Sequence, residues 1–506
     1  MVVPVYQVRR YLAACLDSLL TQEFGDLEII VVDDGSTDGS AAIAARYAAQ
    51  HQRIRVVRTD NHGLGAARNH GARQAAGEYL AFADSDDVVP PYAYALLVST
   101  LEESGSDLVV GSVLQWTSDG LTEPAFLRPA HRRRRLRVSL DEHPAVMHNV
   151  FAWDKVFRRA FWERERLAFP EGVRYEDQGT MLEAYLRAGV FDVVVRPVYH
   201  WRVRDDGSSI TQHRHELADL RDRLVTKQQT TDVVRRLGSA AVLDYWVRRA
   251  LVGDLGLYFR EIPGCDEEYW ELIQRGICTL FEGLPPIEES ALRLPMRVVG
   301  WLVTRGRRTD AERMLAWVAA NPGPLPLRVD GAHVVAQVPF ADDPSTGIPT
   351  ELFWLHDDEL EFDARAQQVR IDGDDLVLSG IALIRGAPTA GVDVVIGARL
   401  ESSTDTVALP VTQRPEPEAT DWIARPPQVY DDSGFAARVS MTDLASYGPQ
   451  VWALRLDVQV GEIRRAGPVR SKDPRLSLPP AAARSGVTLT VAVTFDRVTG
   501  LIVTVA

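Results

Sequence analysis

Ala83-Asp84-Ser85-Asp86-Asp87 puts three carboxylates into four positions, directly after the apolar stretch Tyr79-Leu80-Ala81-Phe82. That stretch, flanked by Gly77-Glu78, is too short for a helix and reads as a buried strand. A strand running into acidic residues delivers them to its carboxyl end, the edge at which open α/β sheets bind ligands. Alternate side chains on extended backbone point opposite ways, so Asp84 and Asp86 converge only if the chain turns at Ser85. Converged, they form a hard oxygen site of the kind that Mg²⁺ or Mn²⁺ uses to bridge a diphosphate. The bland alternative is an acidic turn, since Asp is common in turns.

Upstream the chain alternates strands and helices. Val2 to Val5 ends a strand, and Tyr11 to Leu20 has helical apolar spacing. Leu27 to Val32 is a near-continuous β-branched run, as expected of a strand covered on both faces. Asp33-Asp34-Gly35-Ser36-Thr37-Asp38-Gly39-Ser40 is rich in capping residues and precedes a helix over Ala41 to Gln50. A strand over Ile54 to Arg58 and a helix over Ala66 to Ala76 lead back to the opening stretch. This rhythm predicts a parallel, Rossmann-like sheet. Downstream, strands are predicted at Leu108-Val109-Val110 and at Phe191 to Val195, and a helix over Gln178 to Ala188 follows Tyr175-Glu176-Asp177.

Residues from about His213 to Asn321 are helical in pattern, and Asn321-Pro322-Gly323-Pro324 is a breaker cluster that marks a domain boundary. Beyond it short alternating strands dominate, and Val487 to Val505 reads as a hairpin. The fold class is therefore an α/β domain over 1–215, a helical extension over 216–322 and a β-sandwich region of one or two modules over 325–506.

Composition narrows the function. The chain has 506 residues, 46% of them apolar and 25% charged, with a net charge of −14. An acidic chain lacks the basic face of a general nucleic-acid binder. From Leu325 to Ala506 there are 25 Asp and Glu against 16 Arg and Lys, so −9 of the −14 falls there. Three of the 56 basic residues are Lys, a skew that reads as codon bias. Cys15, Cys265 and Cys278 have no metal-type spacing and fit a reducing compartment. No apolar run reaches the length of a membrane span, and Met1 to Tyr6 lacks the charged-then-apolar pattern of a signal peptide. A cytoplasmic location is expected, including the inner face of the membrane if the basic run His131 to Arg137 meets anionic lipid.

Pro4-Val5-Tyr6, Val31-Val32-Asp33-Asp34-Gly35-Ser36-Thr37-Asp38, Gly65-Ala66-Ala67-Arg68-Asn69, Phe82-Ala83-Asp84-Ser85-Asp86-Asp87 and Tyr175-Glu176-Asp177 occur in the order seen in family 2 glycosyltransferases. The resemblance covers roughly 1–215. It implies the GT-A fold and metal-dependent, inverting transfer of a sugar from a nucleotide diphosphate donor, a UDP-sugar by expectation. Arg204 to Thr211 resembles the bacterial branch that builds teichoic acid, capsule and other surface glycans. The implied acceptor is a polysaccharide, teichoic acid or lipid-linked glycan.

On this resemblance Pro4, Val5 and Tyr6 line the nucleobase and ribose. Asp34 accepts from the uracil N–H, with Asp33 as the weaker candidate, and Arg68 lies near the diphosphate. Asp84 binds ribose or a metal-bound water, Asp86 binds the metal, Ser85 makes the turn between them, and Asp87 is structural. Arg204 and Ser208 close over the diphosphate, and His200 is a candidate extra metal ligand. Asp177 is the candidate general base, with Glu176 orienting the site. Two departures stand out. Family members usually have several more residues before the first strand, and Asn is commoner than Gln at position 7. The competing function is a catalytically weak glycan-binding or scaffolding protein on a GT-A-like domain, but intact carboxylates speak against a dead site. For the acidic C-terminal region the expectation is acceptor positioning or homo-oligomerisation.

Overall fold

The computed structural model describes residues 1–204, 214–423, 428–470, 478–482, 490–496 and 500–505. It divides into two compact units, Met1–Glu312 and Arg313–Ala506. The division falls within a helix, Arg308–Ala320, ahead of the breaker cluster at Asn321.

In the first unit the strands β1 (Val2–Val5), β2 (Ile29–Asp34) and β3 (Ile54–Thr59) pair in parallel in the order β1-β2-β3. Helices α1 (Leu12–Leu20), α2 (Ser40–Gln50) and α3 (Leu64–Gln74) connect and follow them. Every residue of β2 is buried, as its β-branched run requires. Strand β4 (Tyr79–Ala81) continues into Phe82, which bridges Val2 in parallel, so the acidic loop starts beside β1. Helix α4 (Ala93–Ser104) then leads to β5 (Leu108–Thr117), β6 (Gly120–Thr122), β7 (Arg135–Val138), β8 (Lys155–Arg158) and β9 (Phe191–Arg202). These form a mixed sheet in the order β4-β8-β5-β9-β7, with β6 on β5.

Strands β5 and β9 run well past the short segments predicted from sequence. The reason is tertiary: Val113 to Trp116 pair in parallel with Tyr199 to Arg202 across bulges near Ser112. Pairing stabilises a strand that local apolar alternation does not announce. The helices α5 (Arg159–Arg164) and α6 (Asp177–Ala188) flank this sheet's strands in sequence. The helical extension contributes α7 (Leu217–Leu237), α8 (Ala240–Tyr245), α9 (Leu255–Phe259), α10 (Glu267–Leu280) and α11 (Leu294–Thr304) to the same compact unit. No described helix is long and apolar enough to cross a membrane.

The second unit has antiparallel sheets. One has the path Glu361–Asp372, Asp375–Arg385, Gly434–Ser440 and Val411–Arg414, and a larger one is built around Val394–Glu401, Gln450–Val460 and Gly500–Val505. Leu376, Leu378 and Phe435 of the first share one apolar cluster with Leu454, Leu456 and Val503 of the second. Two sheets facing across a common core make a β-sandwich. Within the predicted hairpin, Thr490–Asp496 pairs antiparallel with Gly500–Val505.

Helix α3 carries part of the candidate site, and it lies against β1 at Gly71. A Cβ there would meet Val2 Cγ1 at 2.3 Å. We expect Gly71→Ala to destabilise the first unit by about 1–3 kcal/mol, the usual cost of overpacking, in urea denaturation. An unchanged midpoint would mean that α3 can slide off β1 without loss.

Candidate active site

The acidic loop turns where the sequence requires it. Ala83 N donates to Val2 O at 3.0 Å, and Asp87 N donates to Asp84 O at 3.2 Å around the buried Ser85. Asp84 N donates to Tyr199 Oη at 2.9 Å. Each of the three carboxylates is engaged differently. Asp87 is buried and accepts from Arg202 N at 2.7 Å, which fastens the loop to β9. Asp86 Oδ2 accepts from Arg204 Nε at 2.7 Å, and Asp84 Oδ1 accepts from Arg68 Nη2 at 2.6 Å. Burial pushes the Asp87 and Asp86 carboxyls up; the neighbouring carboxylates add to this, while Arg204 opposes it at Asp86.

Arg68 joins this loop to a second acidic turn. It is 1% exposed, and its second terminal nitrogen donates to the buried Glu176. Both terminal nitrogens are thus given to carboxylates, and the guanidinium joins the acidic loop to the Glu176-Asp177 turn. The residue expected beside a diphosphate clamps two protein anions. The rest of its motif serves the same contact. Asn69 Nδ2 donates to Phe169 O at 2.8 Å and to Glu171 Oε1 at 3.0 Å, and Asn69 Oδ1 accepts from Phe169 N at 2.8 Å. At Gly65 a Cβ would meet Pro170 O at 2.2 Å and Glu176 Cγ at 3.3 Å, so only glycine allows this approach.

Glu176 precedes α6, and Asp177 is its first residue. Burial raises both carboxyls above the ordinary range. Arg68 opposes this at both, while each also feels negative neighbours, among them Asp84. Buried side by side, Glu176 and Asp177 hold a proton more readily than isolated carboxylates.

At the other end of β1, Pro4 and Val5 are buried and Tyr6 is exposed. Asp34 and Asp33 differ in their partners. Asp34 Oδ1 accepts from Thr59 Oγ1 at 3.1 Å and His62 N at 3.0 Å, and its Oδ2 accepts from Gly63 N at 2.8 Å. Its carboxylate is spent on the turn before α3. Asp33 Oδ1 accepts from Ser36 N at 3.1 Å, whereas its buried Oδ2 has no hydrogen-bond partner among the described residues and lies 3.4 Å from Arg58 Nε.

Gln7, noted in the sequence only as a departure, has a structural task. Its backbone is left-handed (φ 52°), a conformation Asn adopts more readily. Its Oε1 accepts from Thr37 N at 3.2 Å and Asp38 N at 3.0 Å, and its Nε2 donates to Thr37 Oγ1 at 2.9 Å. A recess of about 470 Å³ opens beside it, lined by Gln7, Arg9, Arg10, Tyr11, Asp38 and Arg204. That volume is within the range of small-molecule sites.

His200 lies on β9, its backbone paired with Val88, and burial lowers its ring pKa. Among the described residues no group of three or more His, Cys, Asp or Glu could hold a metal, so His200 does not complete a ligand set with Asp84 and Asp86. Ser208 lies outside the described residues. The geometry thus gathers Asp84, Glu176 and Arg68 directly, with Asp86 of the same loop paired to Arg204 from beyond β9.

Removing one partner of a buried ion pair leaves an uncompensated charge, which costs about 3–5 kcal/mol. We expect Arg68→Met to lose that much stability at pH 8 in urea denaturation. At pH 5 the loss should shrink, because the Glu176 carboxyl, raised to about 7 by burial, is then protonated and one of the anions that needed Arg68 is neutral. Equal losses at both pH values would contradict the clamp.

Residues 1–162 match the Glycosyl transferase family 2 model. The chain is similar to the "Putative glycosyltransferase EpsH" of Bacillus subtilis, 34% identical over 208 residues that make up 40% of this chain and 60% of that protein. It is also similar to the "Poly(ribitol-phosphate) beta-glucosyltransferase" of Bacillus spizizenii, 31% identical over 42% of this chain and 33% of that one. The chain thus spans about 60% or less of the length of these relatives. Among solved structures, S. aureus TarS superposes with a TM-score of 0.51 at 17% identity, covering 100% of this chain and 84% of that one. TarS 1-349 in complex with UDP-GlcNAc gives 0.52 at 18% identity, over 67% of this chain and 95% of that one. At these identities the likeness establishes the fold. The parallel β1-β2-β3 sheet, the acidic loop that follows β4 and the matched model agree: residues 1–162 carry a domain that matches the glycosyltransferase family 2 model.

Proposed function

We propose that the chain is a metal-dependent, inverting glycosyltransferase that moves a sugar from a UDP-sugar to a hydroxyl of a bacterial surface polymer such as teichoic acid or capsule. The observation that carries this reading is Arg68, which holds Asp84 and Glu176 to one guanidinium. It makes the donor-side loop and the base-bearing turn parts of one site. The UDP-GlcNAc bound to TarS and the polymer named for the Bacillus spizizenii relative favour the donor and acceptor classes.

Asp84 and Asp86 fit a divalent cation by their chemistry. They are two hard carboxylates with no third protein ligand grouped with them among the described residues, and Mg²⁺ or Mn²⁺ commonly takes one or two carboxylates plus substrate phosphates. When bound there, the cation supplies positive charge against the departing diphosphate. Arg204 adds a second positive charge beside Asp86. Asp33 Oδ2 is the acceptor for a nucleobase N–H, and Asp34 shapes the turn next to it. Asp177 takes the proton of the acceptor hydroxyl as that oxygen bonds to the anomeric carbon. The bond from that carbon to the diphosphate breaks on the opposite face, and the electron pair leaves with UDP, so the configuration inverts.

We expect UDP release from at least one member of a panel of UDP-sugars with Mn²⁺, and none after chelation. Asp177→Asn should lower kcat by roughly 10²–10⁴, the usual worth of a general base. Asp86→Ala should abolish the response to metal. The base works ionised and its pKa is raised by burial, so the acid limb of the pH–rate profile should lie above the ordinary Asp range of about 4. Absence of both UDP release and donor binding in calorimetry, with and without metal, would instead favour the scaffolding alternative.

A further inference from the structure

Tyr175 is the residue on which the helical extension grips the base-bearing turn. Its backbone is left-handed (φ 64°), a conformation that bulky residues adopt only when the surroundings impose it. The surroundings here come from the extension. Tyr175 Oη lies 2.9 and 3.1 Å from the two carboxylate oxygens of Asp219 on α7. Tyr258 of α9 donates to the same carboxylate at 2.7 Å. The Arg223 guanidinium of α7 stacks 3.4 Å from the Tyr175 ring centroid. The preceding residue is held as well: Arg174 Nη1 donates to Asp219 Oδ1 at 3.1 Å, and Arg174 O accepts from Thr226 Oγ1 at 3.1 Å.

Asp219 is fully buried, and Arg223 is itself paired with Asp254 at 3.1 Å. Burying an anion is expensive unless it is fully bonded, so Asp219 has no cheap alternative arrangement. The next residue after Tyr175 is Glu176, clamped from the other side by Arg68. The turn is therefore fixed from two sides, by the sheet domain through residue 176 and by the extension through residues 174 and 175.

We propose that Tyr175 is a positioning residue for the carboxylates of Glu176 and Asp177, and that α7 holds it through Asp219 and Arg223. The extension is then part of the transfer machinery. This rests on the reading of Asp177 as the base. Positioning matters because a misplacement of about 1 Å at a reacting group can cost on the order of 10²-fold in rate.

The test uses the full chain with UDP-GlcNAc and Mn²⁺, or whichever UDP-sugar of the panel turns over. Tyr175→Phe removes only the hydroxyl and keeps the ring over Arg223; Asp219→Asn removes the charge. We expect kcat to fall about 10- to 100-fold in each while KM for the donor stays within about twofold, the signature of a lost transition-state arrangement. Amide hydrogen exchange over residues 174–180 should accelerate about tenfold or more, with β1 to β4 unchanged. Wild-type kcat in Tyr175→Phe overturns the proposal. So does a joint loss of kcat, donor affinity and exchange protection throughout the unit, which marks a merely structural contact. If the wild-type chain turns over no donor, the transferase reading falls by itself. The exchange arm then decides alone: unchanged protection at 174–180 overturns the tether, and selective loss there supports it.

Discussion

A single buried guanidinium holds the candidate site together. Arg68 sits between Asp84 and Glu176 with almost no exposure, and the charge of Asp177 acts on it as well. A cation loses its hydration in such a place and is tolerated only when anions surround it. The converse also holds: Asp84, Glu176 and Asp177 can be brought close together only because a cation lies among them. The two halves of the site are consequently inseparable. The glycine at 65 and the amide of Asn69 make sense as servants of that contact, one allowing the backbones of α3 and Pro170 to meet, the other bonding Phe169.

Two carboxylates of the acidic loop are balanced by arginines from separate elements, and the third by a backbone N–H. Asp84 takes Arg68 from α3, and Asp86 takes Arg204 from beyond β9. Asp87 takes the backbone N–H of Arg202, and Arg202 in turn donates through Nε to Asp86 O at 2.8 Å. Such pairing explains how three carboxylates in four positions can fold without a metal. It also leaves the loop with strong local fields, because each pair is formed in partly or fully buried surroundings where screening is weak.

Much of this was legible in local pattern. The run Ile29–Val32 announces a doubly covered strand by itself, and Ala83 to Asp87 announces an acidic loop at a strand end. What local pattern does not carry is the partner of each polar group. Asp33 and Asp34 are adjacent and chemically identical; their roles separate only because Thr59, His62 and Gly63, more than twenty residues on, converge on Asp34. Arg68 resembles any arginine on a helix until Glu176 arrives 108 residues later. His200 sits at the right end of a strand, yet its backbone pairing with Val88 does not bring a ligand set to its ring. Gln7 stands in the sequence only as a departure from the commoner Asn, and its bracing of the loop at Thr37 and Asp38 is a contact across thirty residues.

The extension shows the same limit in a stronger form. Its apolar spacing reads as ordinary helix packing, but α7 buries Asp219, Thr226, Lys227, Thr230 and Thr231 beside Leu220, Leu224 and Val234. Those polar groups are bonded. Thr230 and Thr231 hydroxyls donate back to Thr226 O and Lys227 O, Lys227 pairs with Asp254 at 2.6 Å, and Trp246 donates to Thr231 at 3.0 Å. A helix serving only as a spacer gains more from leucine at such positions, since each buried polar group costs desolvation that its bonds barely return. Fully bonded polar contacts bring something apolar packing lacks, a single allowed register. A helix that must hold Tyr175 in a left-handed conformation needs that register, because a shift of one turn would move Asp219 about 5.4 Å away from the hydroxyl it binds.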